Sequence, residues 1–292
     1  MNGIIRVFPR RHTEFTPDDD MAFIGEPSEH HRIPEHREVH ISCTFTWDKK
    51  LCEHLAYHWE GQTNRPVKLG GPAYGSQADE FIPGMYIKAG ITYTTRGCNN
   101  QCPWCRVPLV EGRLREITIH QGNIIQDNNF LQASRAHKDK VFDMLRTQKG
   151  ICFKGGLSAE LIDDYFCETL RSLYYTRGTK KHSRISELWL ACDTDDALPK
   201  LKQAAAKLTA VGFNREKIKC YVLIGDDMKK NKVRLHEVYN AGAMPFAMLY
   251  RGFADTKDKY DEVWEAFARS WMRPAAIKRH MKSGTHFMDF ST

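Results

Sequence analysis

Six short apolar runs alternate with helical patterns in the chain after residue 89. The runs are Gly90–Tyr93, Asn123–Asn129, Gly150–Phe153, Glu187–Cys192, Lys219–Gly225 and Pro245–Tyr250. Between them, apolar residues recur at helical spacing, as Leu161, Phe166 and Leu170 do after the third run, where Ser158 can cap the helix. Strands that alternate with helices form βα units whose strands lie parallel in one sheet. We therefore expect an α/β fold with six parallel strands.

The N-terminal part has a different pattern. Residues 1–38 show no sustained period, and we expect an irregular arm with short strands at Ile4–Phe8 and Ala22–Ile24. The stretch after the arm predicts a β-α-β unit, in which Asp48 caps the helix and Gly61 ends it. This unit is expected to precede the six-strand part as an extension.

Three parts are predicted along the chain. The N-terminal extension covers residues 1–86, and the α/β part covers 87–252. The C-terminal segment, 253–292, predicts an aromatic helix from Trp264 to Trp271 and then a basic tail. We expect the helix to cover one edge of the sheet and the tail to be frayed.

Three thiols follow the first apolar run, namely Cys98, Cys102 and Cys105 at the spacing C-x3-C-x2-C. One loop at a strand end can bring them to a single metal centre. Soft thiolate ligands select iron–sulfur clusters, zinc or cuprous copper. Three ligands leave the fourth position of a [4Fe-4S] cluster open for chemistry. The alternative is a structural zinc ion with His120 as the nearest downstream histidine, although zinc ligands usually come in two close pairs.

This loop resembles the signature of the radical S-adenosylmethionine (radical SAM) superfamily. Trp104 stands directly before the third cysteine, and Arg96-Gly97-Cys98 with Val107-Pro108 is similar to the B12-domain and methylthiotransferase branches. The compact chain also resembles small radical SAM proteins of bacteria and phages. The resemblance implies a [4Fe-4S] cluster on the three cysteines, whose open iron binds SAM and cleaves it to methionine and a 5′-deoxyadenosyl radical. It further implies a partial (βα)6 TIM-type barrel and an electron donor such as flavodoxin or ferredoxin.

Contacts to SAM are expected where the barrel strands end, because active sites form there. Through the resemblance, strand two contacts the methionine amine, which maps loosely onto Asp127 and Asn128. The family has Gly-Gly-Glu at this point, and the present chain has Asp-Asn-Asn at residues 127–129. Arg96 can pair with the SAM carboxylate through its guanidinium fork, and Trp104 offers an apolar face beside the cluster. Turn, helix-cap and surface roles are the alternatives for these residues.

The later strand ends supply further candidates. Asp193 can hold the ribose hydroxyls, and Gly225 lets backbone approach the adenine closely. If their side chains point inward, Cys192 and Tyr250 can donate a hydrogen atom to a substrate radical; core packing is the alternative for a cysteine in a strand. The third strand contributes two more cofactor-binding candidates, Gly155 and Gly156.

The net charge of +7 is unevenly distributed. Basic residues gather in three runs: Arg177, Lys180, Lys181 and Arg184; Lys229, Lys230, Lys232 and Arg234; Arg273, Lys278, Arg279 and Lys282. Such runs are solvated faces or bind a polyanion, most commonly a nucleic acid. We expect the substrate to be a nucleic acid base or nucleoside, including a modified phage DNA base. The alternatives are a peptide or small metabolite, and a zinc-stabilised nucleic-acid-binding protein.

The nine cysteines are odd in number and scattered apart from the triad, which favours a reducing compartment over a disulfide scaffold. No apolar run approaches the ~20 residues that a membrane span needs, and the charged start is unlike a secretory signal. These features predict a cytoplasmic protein without a membrane partner. Cobalamin is not expected, because the signature Asp-x-His-x-x-Gly of cobalamin domains is absent.

Overall fold

The computed structural model describes residues 3–11, 14–27, 32–75, 80–252 and 260–283. These residues divide into two compact units. Unit 1 contains the described residues up to Thr92, and unit 2 contains those from Tyr93 to Gly252 together with 260–283. None of the helices in this part of the chain has the length and apolar character that crossing a membrane requires.

Unit 1 is built on a four-stranded parallel sheet and one long helix. Its elements are β1 (Ile4–Phe8), β2 (Ala22–Ile24), β3 (Glu38–Ser42), α1 (Lys49–Gln62) and β4 (Val67–Gly70). The strand order is β2-β1-β3-β4, with parallel neighbours throughout. Its buried core consists of Ile5, Val7, Val39, Ile41, Cys43, Cys52, Leu55 and Trp59. The predicted β-α-β unit is present as β3-α1-β4.

The two short strands predicted within residues 1–38 are confirmed as β1 and β2, but they belong to this sheet, so their description as part of an irregular arm is wrong. The Arg6 side chain is fully buried and donates hydrogen bonds to the carbonyl oxygens of Gly84 (3.2 Å) and Met85 (3.3 Å). It also pairs with Asp19. These buried interactions hold β1 inside the unit.

The predicted ends of α1 are also corrected. Gly61 lies within the helix, which ends at Gln62. The side chain of Asp48 makes no cap hydrogen bond and instead accepts one from Arg10 Nε at 2.9 Å.

The chain continues with strands and helices in alternation. The further strands are β5 (Ile91–Thr92), β6 (Thr95–Arg96), β7 (Arg115–Glu116), β8 (Ile124–Ile125), β9 (Ile151–Leu157), β10 (Tyr174–Arg177), β11 (Lys180–Ser183), β12 (Ile185–Ala191), β13 (Ile218–Ile224) and β14 (Met244–Leu249). The further helices are α2 (Val107–Val110), α3 (Arg135–Leu145), α4 (Asp164–Ser172), α5 (Leu198–Ala210), α6 (Met228–Asn240), α7 (Glu262–Ser270) and α8 (Pro274–Ser283). The main sheet has six strands in the order β14-β13-β12-β9-β8-β5. The α/β class and the six-stranded parallel sheet are therefore confirmed.

The main sheet presents two different faces. Side chains alternate along a strand, and on β12 Leu188, Leu190 and the following Cys192 lie in the hydrophobic core beneath the helices. The opposite face of the sheet carries Trp189, Tyr221 and Phe246, and we call it the aromatic face. Trp189 and Tyr221 stack with ring centroids 4.4 Å apart, and Phe246 meets both rings edge-on. One side of the sheet thus holds the core, and the other carries a buried Trp189 ring packed against the partly exposed rings of Tyr221 and Phe246.

Several predicted boundaries in unit 2 shift. Strand two is only Ile124–Ile125, whereas the third strand continues through its glycine pair to Leu157. The helix expected from Ser158 begins at Asp164 instead, because Asp163 caps it by accepting the Phe166 N–H at 2.8 Å.

The C-terminal segment differs from its prediction as well. The aromatic helix is α7, and the stretch predicted as a frayed tail forms a second helix, α8. Trp271 and Ile277, from this segment, lie fully buried in the main core. The tail beyond Ser283 and the side chains of Lys180 and Lys181 lie outside the described residues.

A close approach of β9 to β8 allows a test by substitution. A Cβ atom at Gly155 would lie 1.9 Å from the Asp127 carbonyl oxygen, whereas one at Gly156 would meet no atom within 4 Å. We expect Gly155→Ala to lower the free energy of unfolding by about 3 kcal/mol through overpacking. Gly156→Ala should cost only about 1–2 kcal/mol, because its φ of +105° disfavours a side chain. Urea unfolding followed by tryptophan fluorescence measures both, and equal losses would contradict the close approach.

Candidate metal centre

The cysteine loop, residues 97–106, lies inside a small antiparallel ribbon. Strands β6 and β7 pair before and after it. Gly97 has a φ of +78°, and a Cβ atom there would stand 2.2 Å from the Arg113 carbonyl oxygen. The Cys98 N–H donates to the Gly112 carbonyl oxygen at 3.1 Å. Only glycine therefore lets the loop begin this close to the returning chain.

The three loop cysteines differ from the other six in exposure. Cys98, Cys102 and Cys105 are free and partly exposed, whereas every other cysteine is buried. Burial raises the pKa of Cys102 and Cys105, and the neighbouring thiols add to the rise. The Asn100 N–H points at the Cys98 sulfur from 3.4 Å. A bound metal cation would reverse the raised pKa values, since it holds coordinating thiols as thiolates.

The spacing of the three sulfur atoms also bears on the kind of metal. Among the described residues, one group of three His, Cys, Asp or Glu side chains has its ligand atoms within 4.8 Å of one another, and it does not include the loop cysteines. At least one pair of the three loop sulfur atoms is therefore more than 4.8 Å apart. Thiolates on a single tetrahedral zinc ion, with Zn–S bonds of about 2.3 Å, would lie about 3.8 Å apart. A zinc ion bound by all three thiolates would require these sulfur atoms to come closer together.

Asp127 anchors the start of the loop segment. Its carboxylate is buried and accepts hydrogen bonds from the Thr94 N–H (2.6 Å), the Thr94 hydroxyl (2.5 Å) and the Thr95 N–H (3.1 Å). Burial raises the pKa of Asp127, and these donors offset part of the rise. Its oxygens are thus already engaged by the strand that leads into the cysteines. The predicted contact to an amine stays a prediction, and the contacts observed are structural.

Glu111 gathers three groups around the loop. One carboxylate oxygen pairs with Arg96 at 2.7 Å, and the other accepts from the Gly97 N–H (2.9 Å) and Asn128 Nδ2 (2.8 Å). The Arg96 guanidinium also lies 4.5 Å above the Tyr93 ring. Arg96 and Asn128, both predicted SAM contacts, are therefore brought together by a carboxylate that the sequence interpretation missed.

Carboxamides and one hydroxyl hold the segment between the first two cysteines. Gln132 accepts from the Asn99 N–H at 2.8 Å and donates to Asn100 Oδ1 at 2.7 Å. Ser158 accepts from Asn129 Nδ2 at 2.7 Å and from Asn100 Nδ2 at 3.4 Å. None of these residues was a predicted site residue. Asn129 and Ser158 follow the ends of β8 and β9. Their position at neighbouring strand ends was the feature of the sequence from which their place in the site could have been predicted.

Trp104 and Asp193, two predicted site residues, meet directly. Trp104 Nε1 donates to one oxygen of Asp193 at 3.2 Å, and the other oxygen accepts from the Leu223 N–H at 3.2 Å. Arg234 donates to the Asp193 backbone carbonyl at 2.9 Å. Burial raises the pKa of Asp193, and the Trp104 hydrogen bond opposes the rise. The loop is thereby fastened to the end of β12.

Together, these contacts place the loop across one edge of the main sheet. Asn128 follows β8, Ser158 follows β9 and Asp193 follows β12, and each binds the loop or the residues just after it. The carboxyl ends of parallel strands share that edge, which is where α/β proteins bind ligands.

The glycine candidates have unequal surroundings. No atom stands within 4 Å of a Cβ position at Gly156. At Gly225, a Cβ atom would lie 2.0 Å from the Tyr260 hydroxyl, which donates to the Tyr250 carbonyl oxygen at 2.6 Å. Gly225 thus makes room for Tyr260, whereas the backbone at Gly156 is open to approach. The hydrogen-donor role of the Tyr250 side chain stays a prediction.

The orientation of Cys192 requires a correction. Its side chain is fully buried in the core beneath the helices, on the side opposite Trp189 and Asp193. Burial raises the pKa of Cys192 to about 12. The inward orientation that a hydrogen-atom donor needs is therefore not the one observed, and core packing accounts for this thiol.

No model of a known protein family matches the chain, and no curated protein sequence matches it. The function is therefore inferred from the residues and geometry of the site.

The anchor at Asp127 is testable by an isosteric change. Asp127→Asn removes the negative charge, and its amide nitrogen would force the Thr94 hydroxyl to accept a hydrogen bond where it now donates one. Loss of charged hydrogen bonds in a buried site should lower the free energy of unfolding by about 2–4 kcal/mol. Asp143→Asn, at an exposed pair with Arg146, is the matched control and should change it by less than about 0.5 kcal/mol. Similar losses in urea unfolding for both variants would exclude the anchoring role.

Proposed function

We propose that the protein is a radical SAM enzyme whose Cys98, Cys102 and Cys105 hold a [4Fe-4S] cluster in a partial (βα)6 barrel. The observation that carries the proposal is the loop itself. It presents the three partly exposed thiols of the chain at the carboxyl edge of a six-stranded parallel sheet. Three soft ligands of this kind suit an iron–sulfur cluster with one open position.

The cluster, when bound with SAM, supplies reductive cleavage that yields methionine and a 5′-deoxyadenosyl radical. The chain provides the positioning and excludes water. Asp127 and Glu111 fix the start of the cysteine loop, and Gln132 fixes the residues between Cys98 and Cys102. Since Arg96 and Asn128 already bind Glu111, we assign them to orienting the loop. Both carboxylate oxygens of Asp193 are likewise engaged, by Trp104 and by the Leu223 N–H, so the open backbone at Gly156 remains the best candidate to bind SAM.

The aromatic face supports a nucleobase as the substrate. Trp189 lies on β12, and Asp193, which receives Trp104, follows the end of the same strand. The two residues are four positions apart in sequence, a span of at most about 13 Å at 3.3 Å per residue. Stacked aromatic rings bind bases without sequence preference. Lys154, whose Nζ lies 6.0 Å from the Trp189 ring centroid, adds a positive charge that suits a phosphate or base.

Other substrates and roles remain alternative proposals. A peptide or small metabolite would use the same edge of the sheet without needing the basic runs. A zinc-stabilised nucleic-acid-binding protein would use the loop only as a structural element. An electron donor such as flavodoxin or ferredoxin belongs to the proposed enzyme and not to the zinc protein.

Release of 5′-deoxyadenosine is the decisive measurement. Anaerobically reconstituted protein, reduced with dithionite in the presence of SAM, should release it, and Cys102→Ala should abolish the release because one cluster ligand is lost. Cys192→Ala is the matched control, since that thiol lies in the core, and it should retain most of the activity. Chromatography of the nucleoside product measures both. A wild-type protein that holds zinc on the loop cysteines and releases no 5′-deoxyadenosine after reconstitution would contradict the proposal.

The substrate class has its own test. A single-stranded DNA oligonucleotide should bind with an affinity that falls steeply as salt rises, because phosphate contacts release counterions. Phe246→Leu, at a partly exposed ring of the aromatic face, should weaken binding by about 1–3 kcal/mol, the contribution of one stacked base. Tyr57→Ala, at an exposed aromatic residue of unit 1, should leave binding unchanged. Fluorescence anisotropy measures the affinities, and salt-independent binding or an unaffected Phe246→Leu variant would favour a small-molecule substrate.

A further inference from the structure

Unit 1 contains a cluster of metal-ligating side chains that the proposed enzyme does not use. Glu26, His54 and His58 have ligand atoms that all lie within 4.8 Å of one another, and no other such group of three occurs in the described part of the chain. His54 Nε2 lies 3.0 Å from one Glu26 carboxylate oxygen, and His58 Nδ1 lies 3.9 Å from the other. We call these three residues the His–Glu cluster.

The helix positions both histidines. His54 and His58 are four residues apart on α1, and residues at this spacing share one face of a helix. Their ring centroids are 4.3 Å apart. The buried face of the same helix carries Cys52, Leu55 and Trp59. That face packs in the core. The two imidazoles therefore lie beside it on the helix surface, each about half exposed to solvent.

The chain after β2 brings the carboxylate to the helix. Gly25 adopts a φ of +74°, and its N–H donates to the Phe8 carbonyl oxygen at 2.9 Å. Its own carbonyl oxygen accepts a hydrogen bond from the buried Trp59 Nε1 at 3.2 Å. The residue before Glu26 is therefore fastened to both the sheet and α1. The carboxylate is presented to the imidazoles by a fixed turn.

We propose that the His–Glu cluster binds a divalent transition-metal ion, with zinc as the ion of choice. Two imidazole nitrogens and one carboxylate oxygen are ligands that zinc accepts at about 2.0–2.2 Å. The side chains are each about half exposed, which leaves room for water at the remaining position. Bound metal would join the turn after β2 to α1 and so stabilise unit 1. This inference does not depend on the cysteine loop or on the proposed enzyme activity.

Zinc titration of an untagged full-length chain tests the site. The variant used for this titration carries Cys98→Ser, Cys102→Ser and Cys105→Ser, so that thiolates of the loop cannot bind the ion. Isothermal titration calorimetry should give one zinc site, and zinc should raise the melting temperature. His58→Ala should weaken that binding at least about tenfold, because even the loss of a group that only orients a ligand costs 10–100-fold. Adding His54→Ala should abolish it together with the thermal shift.

Controls separate this site from others. Glu60→Gln, at an exposed carboxylate on the same helix, and His182→Gln, at an exposed histidine of unit 2, should leave zinc binding unchanged. Co²⁺ in the cysteine-free chain should give a d–d spectrum without thiolate charge transfer, and the spectrum should disappear with both histidines. Circular dichroism without metal checks that each variant folds. Zinc affinity that is unchanged in the His54→Ala, His58→Ala double variant, or absent in the parent chain, would overturn the proposal.

Discussion

The buried carboxylate of Asp127 is the interaction on which the candidate metal centre depends. A carboxylate out of water is costly unless donors surround it, and here Thr94 and Thr95 supply two backbone N–H groups and a hydroxyl. That requirement pulls the strand before the cysteines against the end of β8. The absence of a side chain at Gly155 lets β9 pass against the same backbone. The position of the start of the cysteine loop is therefore determined by the hydrogen bonds to the Asp127 carboxylate and by the close packing at Gly155.

From this anchor the loop extends along the carboxyl edge of the sheet, and short polar side chains hold it there. Glu111, Gln132 and Ser158 each accept or donate at more than one point, so contacts to the strand ends fix the loop. They add to the loop's own turn, in which the Cys105 N–H donates to the Cys102 carbonyl oxygen at 2.9 Å. Several residues that are chemically suited to bind a cofactor are engaged in this support. A loop so held keeps its three thiols near one another at low entropic cost when a cluster binds. The polar residues of the site thus divide into those that orient the loop and those that remain available for a ligand.

The two proposed metal sites use different chemistry in separate units. The cysteine loop offers soft sulfur ligands at a sheet edge, whereas the His–Glu cluster offers nitrogen and oxygen ligands beside a helix. The aromatic face of the main sheet adds a third element, a set of packed aromatic rings. Each of the two metal sites combines residues close in sequence with one long-range contact, which is Trp104 with Asp193 for the loop and Trp59 with Gly25 for the His–Glu cluster.

Local patterns in the sequence were sufficient for the α/β class, for six parallel strands and for the three thiols on one loop, because hydrophobic periodicity and residue spacing are short-range properties. These local patterns could not assign Cys192 to the core. Both faces of β12 carry apolar residues, so alternation along the strand does not tell on which face Cys192 lies. The same patterns also mistook Ser158 for a helix cap, although its hydroxyl binds Asn129 from another strand end. The Glu26 and His54 pairing spans 28 positions. Only the tertiary structure decided these contacts, because each depends on how distant segments pass one another and not on the residues beside it in the chain.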